Sequence, residues 1–314
     1  MSLKARIISE LTVLQKNEKD QKNPFKARAY GKVIDGLKVY NGALNSVNDL
    51  SAVPGIGKSI KEKITEIITT GQLAAAQVIR HDPKALALTA LSNVYGIGPT
   101  KAKKLIAAGI TTITELRQKA DEELNDKQRI GLKYYEDLLE RIPRAEMLQH
   151  KAVLDRVLSN PTFGIEEHSI VGSFRREAQN SGDIDLLVKF PTTMSAAEQG
   201  RKFKAVIAEL QKEVYVIETL AAGPKKFMGI CRVAADMKAR RLDILVTPVS
   251  EYPFSLLYFT GSQEHNIMMR KRALDIKYSL NEHGFTPVPP NKVFKTEKDI
   301  FDFLSMEYKE PNDR

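Results

Sequence analysis

The sequence predicts a multidomain protein with an all-α N-terminal half, a central α/β body with a mixed sheet, and an α+β C-terminal segment. The 314 residues, 42% of them hydrophobic, are enough for two or more compact units that each bury a core. Apolar residues recur at helical spacing through the first half, whereas short β-branched runs typical of strands follow in the second half.

The helices predicted for the first half are separated by proline and glycine. Apolar residues at helical spacing occur in LKARIISELTVLQ, AYGKVIDGLKVY, SIKEKITEIITTG, TKAKKLIAAGI and ELRQKADEEL. Breaks fall at Asn23-Pro24, Pro54-Gly55, Gly71, Asp82-Pro83 and residues 96–99. We therefore expect two helical modules, residues 1–82 and 83–142.

The strands predicted for the second half belong to one sheet. The runs DIDLLVKF, VYVIETL, FMGICRVA and RLDILVTP are short and apolar, and the helical stretch AAEQGRKFKAVIAELQKE lies among them. We expect this body to span residues 143–250, with a final segment over residues 251–314.

Charge and cysteine content limit the classes of function. The net charge is +9, and the first 80 residues hold 13 Lys and Arg against 7 Asp and Glu, which indicates a polyanionic partner, usually nucleic acid. The single cysteine, Cys231, excludes an internal disulfide and a cysteine-cluster metal site. Neither a membrane-spanning run nor a signal peptide is present in the sequence. We expect an intracellular protein with no membrane partner.

Two similar segments in the first half indicate DNA binding. AVPGIGKSIKEKI begins at Ala52 and NVYGIGPTKAKKL begins about 41 residues later, and both place Gly-Ile-Gly before a basic helix. The glycines permit a tight turn and leave backbone N–H groups at a helix N-terminus, where a phosphate can bind. Two ordinary helical corners would explain one copy, but two copies favour a pair of helix-hairpin-helix motifs that contact the DNA backbone.

Three aspartates indicate phosphoryl-transfer chemistry. Asp183 and Asp185 project from the same face of a predicted strand in GSFRREAQNSGDIDLLV, and Asp243 lies in a separate apolar run. Carboxylates from neighbouring strands suit two Mg²⁺ ions, which need hard oxygen ligands and support in-line displacement at phosphorus. The pair Gly172-Ser173, expected just before a short basic helix, and Arg175 and Arg176 would bind the phosphates of a nucleoside triphosphate.

The same stretch resembles the nucleotidyltransferase signature of the family X DNA polymerases. GIGPTKAKKL, RIGLKYYEDLLERIPRAEML, KFMGICR, LYFTGSQEHNIMMRKRAL and EKDIFDFLSMEYKEPNDR are similar to other parts of that family. The resemblance runs from near residue 20 to the last residue and implies a lyase domain plus a polymerase domain, without a BRCT domain. It implies a 5′-deoxyribose phosphate lyase-like domain at 1–82, a DNA-binding subdomain at 83–142, a nucleotidyltransferase palm at 143–250 and a nucleotide-selecting subdomain at 251–314.

The resemblance assigns roles around the predicted metal site. It implies that Asp183, Asp185 and Asp243 hold two Mg²⁺ ions, with Asp243 nearest the primer 3′-hydroxyl. Tyr258 and Phe259 would pack against the sugar of the nucleotide and favour dNTP over rNTP. The residues matched to nucleotide binding are Ser173, Arg176, Gly182, Tyr258, Phe259, Gly261, Gln263 and Asn266.

The resemblance also assigns DNA and cation contacts. Backbone carbonyls near Ser51, Val53 and Ile56, and near Ser92, Val94 and Ile97, would bind a monovalent cation, Na⁺ or K⁺, that bridges to a DNA phosphate. The residues matched to DNA binding are Lys26, Tyr30, Lys32, Gly55, Gly57, Lys58, Gly96, Gly98, Arg241 and Arg270.

The first module carries the residue matched to the lyase nucleophile, Lys63, whose amine would form a Schiff base with the opened sugar, assisted by Glu62. Ser59 and Ala75 stand where the family has phosphate-binding lysines, and Lys58 or Lys61 would compensate. The second half also departs from the family pattern, at Leu245, Gln263, Ile267 and His283.

Taken together, the resemblance implies a gap-filling polymerase of base excision repair. We expect a monomer that binds gapped double-stranded DNA and dNTP, with a ligase or an AP endonuclease as candidate partners. The nucleus is the expected location, and a mitochondrion or a viral replication site in the cytoplasm are alternatives.

Three other functions fit the sequence less well. A template-independent nucleotidyltransferase of this family relies on a long loop between two palm strands, and the connection TLAAGPKKF is short. A small-molecule nucleotidyltransferase would not need the duplicated hairpins. A DNA-binding repair scaffold would have lost at least one of the three aspartates.

Overall fold

The structure, a computed structural model, describes residues 2–314. The chain divides into two compact units, residues 1–132 and 133–314. Across the described residues, no helix combines the length and the apolar character needed to span a bilayer.

The regular elements of the first unit are helical, as predicted. Asn23 caps the second helix by accepting the N–H of Lys26, and Asp82 caps the fifth by accepting the N–H of Lys84; a proline follows each cap. Two of the expected breaks are thereby confirmed. The helices are α1 (Leu3–Asp20), α2 (Pro24–Val39), α3 (Lys58–Thr70), α4 (Ala74–His81), α5 (Pro83–Ser92), α6 (Pro99–Ala107), α7 (Ile113–Gln118), α8 (Ala120–Glu123) and α9 (Asp126–Lys133), with a 3₁₀ turn at Val47–Leu50.

One apolar cluster holds α1 to α4 together. Residues three and four positions apart on these helices point to the same side, so each helix contributes a stripe to the core. Burial of each such side chain contributes about 1.5–3 kcal/mol to folding. The fully buried members include Ile7, Leu11, Val33, Leu37, Ile64 and Ile67.

The segment ELRQKADEEL, expected as one helix, forms two. At Lys119 the backbone leaves helical geometry, with φ −111° and ψ 12°, and its N–H bonds to the carbonyl of Leu116. The chain then restarts as α8, and both Leu116 and Leu124 are buried. The break thus lets two leucines reach the core.

The second unit contains the mixed sheet and further helices. Its elements are α10 (Tyr135–Leu139), β1 (Ile142–Pro143), α11 (Arg144–Leu158), β2 (Glu167–Ile170), α12 (Gly172–Arg175), β3 (Asn180–Ser181), β4 (Ile184–Lys189), α13 (Ala196–Lys212), β5 (Val216–Ala222), β6 (Lys226–Cys231), β7 (Arg240–Val246), α14 (Tyr252–Thr260), α15 (Gln263–Asp275), β8 (Ser279–Asn281), β9 (Gly284–Thr286) and α16 (Glu297–Phe303), with 3₁₀ turns at Pro161–Phe163 and Pro311–Asp313.

The main sheet has the order β2-β4-β7-β6-β5. Strands β4 and β7 are parallel and the other pairs are antiparallel, so the predicted mixed sheet is confirmed. Side chains alternate between two faces. One face packs into the core with α11 and α13 through Ile184, Leu186, Val188, Leu242, Ile244 and Val246.

The final segment has its own α+β core, as predicted. The hairpin β8–β9 and the helices α14, α15 and α16 surround a cluster rich in aromatic residues. Phe254 packs edge-on against Phe285, with ring centroids 5.6 Å apart. The buried members are Phe254, Leu257, Met269, Ala273, Phe285, Ile300, Phe301 and Leu304.

A buried ion network joins α12 to α16. Arg175 donates to both carboxylate oxygens of Glu297, at 2.9 and 2.7 Å, and to the hydroxyl of Thr260 at 2.7 Å. Arg314 donates to the same carboxylate, which is only 5% exposed. Burial alone would raise the pKa of Glu297, but the hydrogen bonds from the two arginines outweigh burial and hold that pKa below its ordinary value.

Candidate active site and nucleic-acid interface

The parallel strands β4 and β7 bring two carboxylates side by side. Asp185 lies directly opposite Asp243 in the register, on the face of the sheet that points away from α11 and α13. Asp183 is the residue directly before β4. The two apolar runs therefore deliver their acidic residues to one place, as the alternation in the sequence predicts.

Both paired carboxylates are partly desolvated. Burial, and then the charge of Asp243, raise the pKa of Asp185 to about 6, while Lys226 opposes the shift. Burial also raises the pKa of Asp243, against the lowering effects of Arg241 and Lys226. One oxygen of Asp243, Oδ1, is buried without a hydrogen-bond partner. Two adjacent carboxylates with an unsatisfied oxygen form an environment that fits a divalent cation.

The third aspartate has a different partner. Arg241 donates a hydrogen bond to Asp183, and its Nε lies 3.8 Å from Oδ1 of Asp243. Within residues 2–314, no three His, Cys, Asp or Glu side chains are arranged to hold a metal ion together. Asp183 accepts a hydrogen bond from Arg241 through one of its two carboxylate oxygens, Oδ2. A metal held by all three carboxylates stays a prediction.

The predicted phosphate contacts surround α12. Gly172 has φ +65°, and a Cβ there would lie 3.3 Å from Oδ2 of Asp185, so glycine suits both the backbone and the close carboxylate. Gly172 and Ser173 form the first turn of this helix, whereas the sequence placed them before it. The Ser173 hydroxyl donates to that of Ser181 at 3.0 Å. A Cβ on Gly182 would lie 3.3 Å from Nη1 of Arg141.

The predicted nucleotide-selecting residues meet where α14 turns into α15. Asn266 donates its amide to the carbonyl of Tyr258 at 2.8 Å, and the Arg270 guanidinium lies 5.0 Å from the Tyr258 ring centroid. The Tyr258 and Phe259 rings pack edge-on, 5.1 Å apart. Gly261 makes the turn with φ +70°.

This turn also meets the predicted phosphate-binding arginine. Nη1 of Arg176 donates to the carbonyl of Thr260 at 2.5 Å, and a Cβ on Gly261 would lie 3.2 Å from the same nitrogen. Gln263 is exposed in the first turn of α15. The nucleotide-binding residues predicted on α12 and α14 are therefore neighbours in the structure.

The family-divergent positions have identifiable surroundings. Leu245 on β7 pairs in register with Lys226 on β6. Ile267 is 50% exposed. Nδ1 of His283 lies 2.7 Å from the carboxylate of Glu251, and that hydrogen bond raises the pKa of His283 above its ordinary value.

The two hairpins of the first unit have the same geometry. Gly55 and Gly96 have φ of +93° and +82°, in the left-handed region that favours glycine. Gly57 and Gly98 are the N-caps of α3 and α6, and neither helix has a side-chain cap bond. Both helices thus leave first-turn N–H groups for another acceptor, and helix N-termini attract phosphate.

The carbonyls predicted to hold a monovalent cation lie in these same hairpins. The carbonyl of Val94 accepts the N–H of Ile97 at 2.9 Å, and the Ser92 hydroxyl is buried without a partner. In the first hairpin, the N–H of Val53 bonds to the carbonyl of Leu50. Cation binding at residues 51, 53 and 56 and at 92, 94 and 97 stays a prediction.

Of the predicted lyase residues, Lys26, Tyr30 and Lys63 share one cavity of about 480 Å³, and Glu62 does not line it. The ammonium of Lys63 donates to the hydroxyl of Ser59 at 2.8 Å. Lys32 belongs to a separate groove, with Lys19 and Arg28. The residues of the cavity that matter here are Lys26, Tyr30, Gly57, Lys58, Ser59 and Lys63.

Sequence reasoning missed two residues beside Lys26. Glu18 lies 3.7 Å from Lys26, and its charge adds to burial in raising the pKa of Tyr30. Phe25, beside Lys26, is 80% exposed. An aromatic residue outside the apolar stripe of α2 is the sequence signal that could have identified Phe25.

Four family models match the chain. They are the DNA polymerase beta palm over residues 141–249, the DNA polymerase beta thumb over 255–314, the fingers domain of DNA polymerase lambda over 89–139 and a helix-hairpin-helix domain over 2–73. The chain belongs to the family X DNA polymerases.

Curated family X proteins are similar along nearly the whole chain. DNA polymerase lambda from Rattus norvegicus is 32% identical over 327 residues, which covers 98% of this chain and 56% of that protein. DNA polymerase lambda from Arabidopsis thaliana is 31% identical, covering 91% and 57%, and DNA nucleotidylexotransferase from Gallus gallus is 23% identical, covering 96% and 65%. The chain thus spans between about half and two thirds of the length of these relatives.

Proposed function

We propose that this chain is a DNA-directed DNA polymerase that fills short gaps in base excision repair. The reaction transfers a nucleotide from dNTP to a primer 3′-hydroxyl. The observation that carries the proposal is the register of β4 and β7, which sets Asp185 beside Asp243 on the sheet face opposite α11 and α13. Phosphate-binding candidates on α12 adjoin this pair, because a Cβ on Gly172 would lie 3.3 Å from Oδ2 of Asp185.

The chain's own residues have distinct roles in this reaction. Two Mg²⁺ ions held by the three aspartates would supply charge stabilisation for in-line displacement. Asp243 has a buried oxygen without a hydrogen-bond partner and is the carboxylate that the family resemblance places nearest the primer hydroxyl, so it would take up the proton of that hydroxyl. Ser173 and Arg176 bind the triphosphate, and Arg241 turns from Asp183 toward the primer terminus.

The nucleotide is selected at the turn between α14 and α15. Tyr258 and Phe259 pack against the sugar, while Asn266 and Arg270 contact the nascent base pair. Asn266 bonds to the backbone carbonyl of Tyr258, and the Arg270 guanidinium lies over the Tyr258 ring. We infer that dNTP is preferred over rNTP, because an aromatic wall leaves little space for a 2′-hydroxyl.

A template-independent transferase is the second candidate, favoured by the similarity to a DNA nucleotidylexotransferase. The connection between β5 and β6 argues against it. Only Gly223, Pro224 and Lys225 separate the two strands, so this turn offers no long loop to cover a template. Templated synthesis is therefore the function that we propose.

The first unit would add 5′-deoxyribose phosphate lyase activity. The neutral amine of Lys63 attacks the aldehyde of the opened sugar, water leaves to give a Schiff base, and β-elimination releases the DNA 5′-phosphate. Lys26, Tyr30 and Lys58 lie in the same cavity and would hold the sugar phosphate. Of the two lysines considered as replacements for the lost cations, Lys58 is the one that lines this cavity.

The same unit would hold DNA through its two hairpins. Gly55, Gly57, Gly96 and Gly98 give the backbone geometry for phosphate contacts, and a Na⁺ or K⁺ ion bound by hairpin carbonyls would bridge to the DNA. We propose that the protein works as a monomer in the nucleus, on gapped double-stranded DNA. A ligase or an AP endonuclease would act on the neighbouring steps of repair.

Template and gap preference test this function directly. The assay measures insertion of each dNTP, with Mg²⁺, into one-nucleotide-gapped, 5′-phosphorylated DNA, into an ungapped primer-template and onto a single-stranded primer. We expect insertion of the complementary nucleotide, fastest in the gap. Equal insertion of all four nucleotides onto the single strand would instead establish the transferase.

A further inference from the structure

We propose that Ser59 is a positioning residue for the amine of Lys63, an inference that rests on the lyase activity proposed above. Ser59 and Lys63 lie one turn apart on α3, and both line the cavity of about 480 Å³. The resemblance to the family predicts a phosphate-binding lysine at position 59. The structure gives this position a different partner.

The geometry of the contact is specific. The Lys63 ammonium donates to the Ser59 hydroxyl at 2.8 Å and to the Ser59 carbonyl at 3.3 Å. A lysine side chain is a flexible four-carbon stem, so two contacts with one residue restrict where its nitrogen can lie. The nitrogen is thereby held at the cavity, where the aldehyde carbon must arrive.

A hydroxyl suits this position for a chemical reason. Lys26, in the same cavity, lies 3.7 Å from the carboxylate of Glu18, and an ionised carboxylate can only accept hydrogen bonds. A serine hydroxyl accepts a hydrogen bond from an ammonium and can also donate one to the lone pair of a neutral amine. Ser59 can therefore hold Lys63 both before and after the amine loses its proton.

The placement of Ser59 also specifies how the substrate lies. Because Ser59 hydrogen-bonds to the amine of Lys63, the phosphate of the sugar would bind to Lys26 and Lys58, the other two lysines of the cavity. The substrate class is a 5′-terminal, phosphorylated sugar in its open aldehyde form. The Schiff base forms when the N–C bond is made and the aldehyde oxygen leaves as water with the two amine protons.

The test is borohydride trapping of the Schiff base on DNA that carries a 5′-deoxyribose phosphate. The trapping rate at saturating DNA and the DNA concentration for half-maximal trapping are measured separately. We expect Ser59→Ala to lower the saturating rate about three- to tenfold, the range expected for one hydrogen bond, with little change in the half-maximal concentration. Ser59→Thr, which keeps the hydroxyl, should retain the wild-type rate.

Thr69→Ala is the matched control. Thr69 also lies on α3, and its hydroxyl donates to the carbonyl of Thr65 at 2.9 Å, away from the cavity. This variant should trap at the wild-type rate. Ser59 is exposed, so its substitution leaves the core of the unit intact, and a thermal melt of each variant verifies the fold.

The outcomes separate the inference from the function on which it rests. If the wild type forms no adduct, or if Lys63→Ala traps as well as the wild type, the proposed lyase fails and the role of Ser59 fails with it. If Lys63→Ala abolishes trapping while Ser59→Ala matches the wild type, the lyase stands and the positioning role is overturned. A Ser59→Lys variant with tighter binding and an unchanged saturating rate would also overturn it, because position 59 would then be a phosphate site.

Discussion

Removal of the Arg241 guanidinium should strengthen metal binding by the palm carboxylates. Arg241 donates to Asp183 and lies 3.8 Å from Asp243, so its positive charge competes with a divalent ion for these carboxylates. The side chains of Arg241 and Asp183 are 34% and 30% exposed, which weakens the pair relative to a buried one. We take the pair to be worth about 1 kcal/mol, which corresponds to about a fivefold change in Kd.

The assay is Mn²⁺ binding to the DNA-free protein, followed by electron paramagnetic resonance. Arg241→Ala should bind Mn²⁺ about fivefold more tightly than the wild type. Arg141→Ala is the matched control. The substitution removes the same positive charge, but Arg141 bonds to Asn180 and not to a carboxylate. Unchanged or weaker binding by Arg241→Ala would show that the guanidinium does not compete with the ion.

Three further results follow from burial and charge. Because the pKa of Asp185 is raised to about 6, the free energy of unfolding of the metal-free protein should fall as pH rises from about 4 to 6. In urea unfolding, this fall should be about 1–2 kcal/mol smaller for Asp185→Asn than for the wild type. An equal fall in the two proteins would refute this. Glu297→Gln leaves Arg175 and Arg314 buried without a counter-charge and should cost about 3–5 kcal/mol in urea unfolding, whereas the exposed Glu307→Gln should cost nothing measurable; equal stability of the two variants would contradict the network's importance. The exposed Phe25 should stack on a DNA base, so Phe25→Ala should weaken single-stranded DNA binding by about tenfold without changing its salt dependence. Lys58→Ala should instead reduce the slope of log affinity against log salt concentration by about 1, and fluorescence anisotropy measures both. A changed slope in Phe25→Ala would exclude stacking as the role of Phe25.

Local signals in the sequence predicted much of the framework. Asn23-Pro24 and Asp82-Pro83 mark helix starts because a short polar cap and a proline are both suited to the first turn. The alternation in β4 and β7 placed Asp185 and Asp243 on the face opposite Ile184, Leu186, Leu242 and Ile244. These features depend on neighbours in the chain, and so the sequence alone can predict them.

Features that depend on packing between distant segments could not be predicted from the sequence. The bond between Arg241 and Asp183 joins residues 58 positions apart, and the sequence offered a metal as the obvious partner. The hydrogen bond between Lys63 and Ser59 likewise depends on the rotamer of the Lys63 side chain, which the sequence does not show.

The most direct test of the central claim measures single-turnover insertion and gapped-DNA affinity side by side for Asp243→Asn. The substitution keeps the shape of the side chain but removes the carboxylate beside Asp185. We expect insertion to fall by about a thousandfold or more, as when an essential proton acceptor and metal ligand is lost, while DNA affinity stays near the wild-type value. Insertion at the wild-type rate by a correctly folded Asp243→Asn protein would contradict the account, because the catalytic centre would then lie elsewhere.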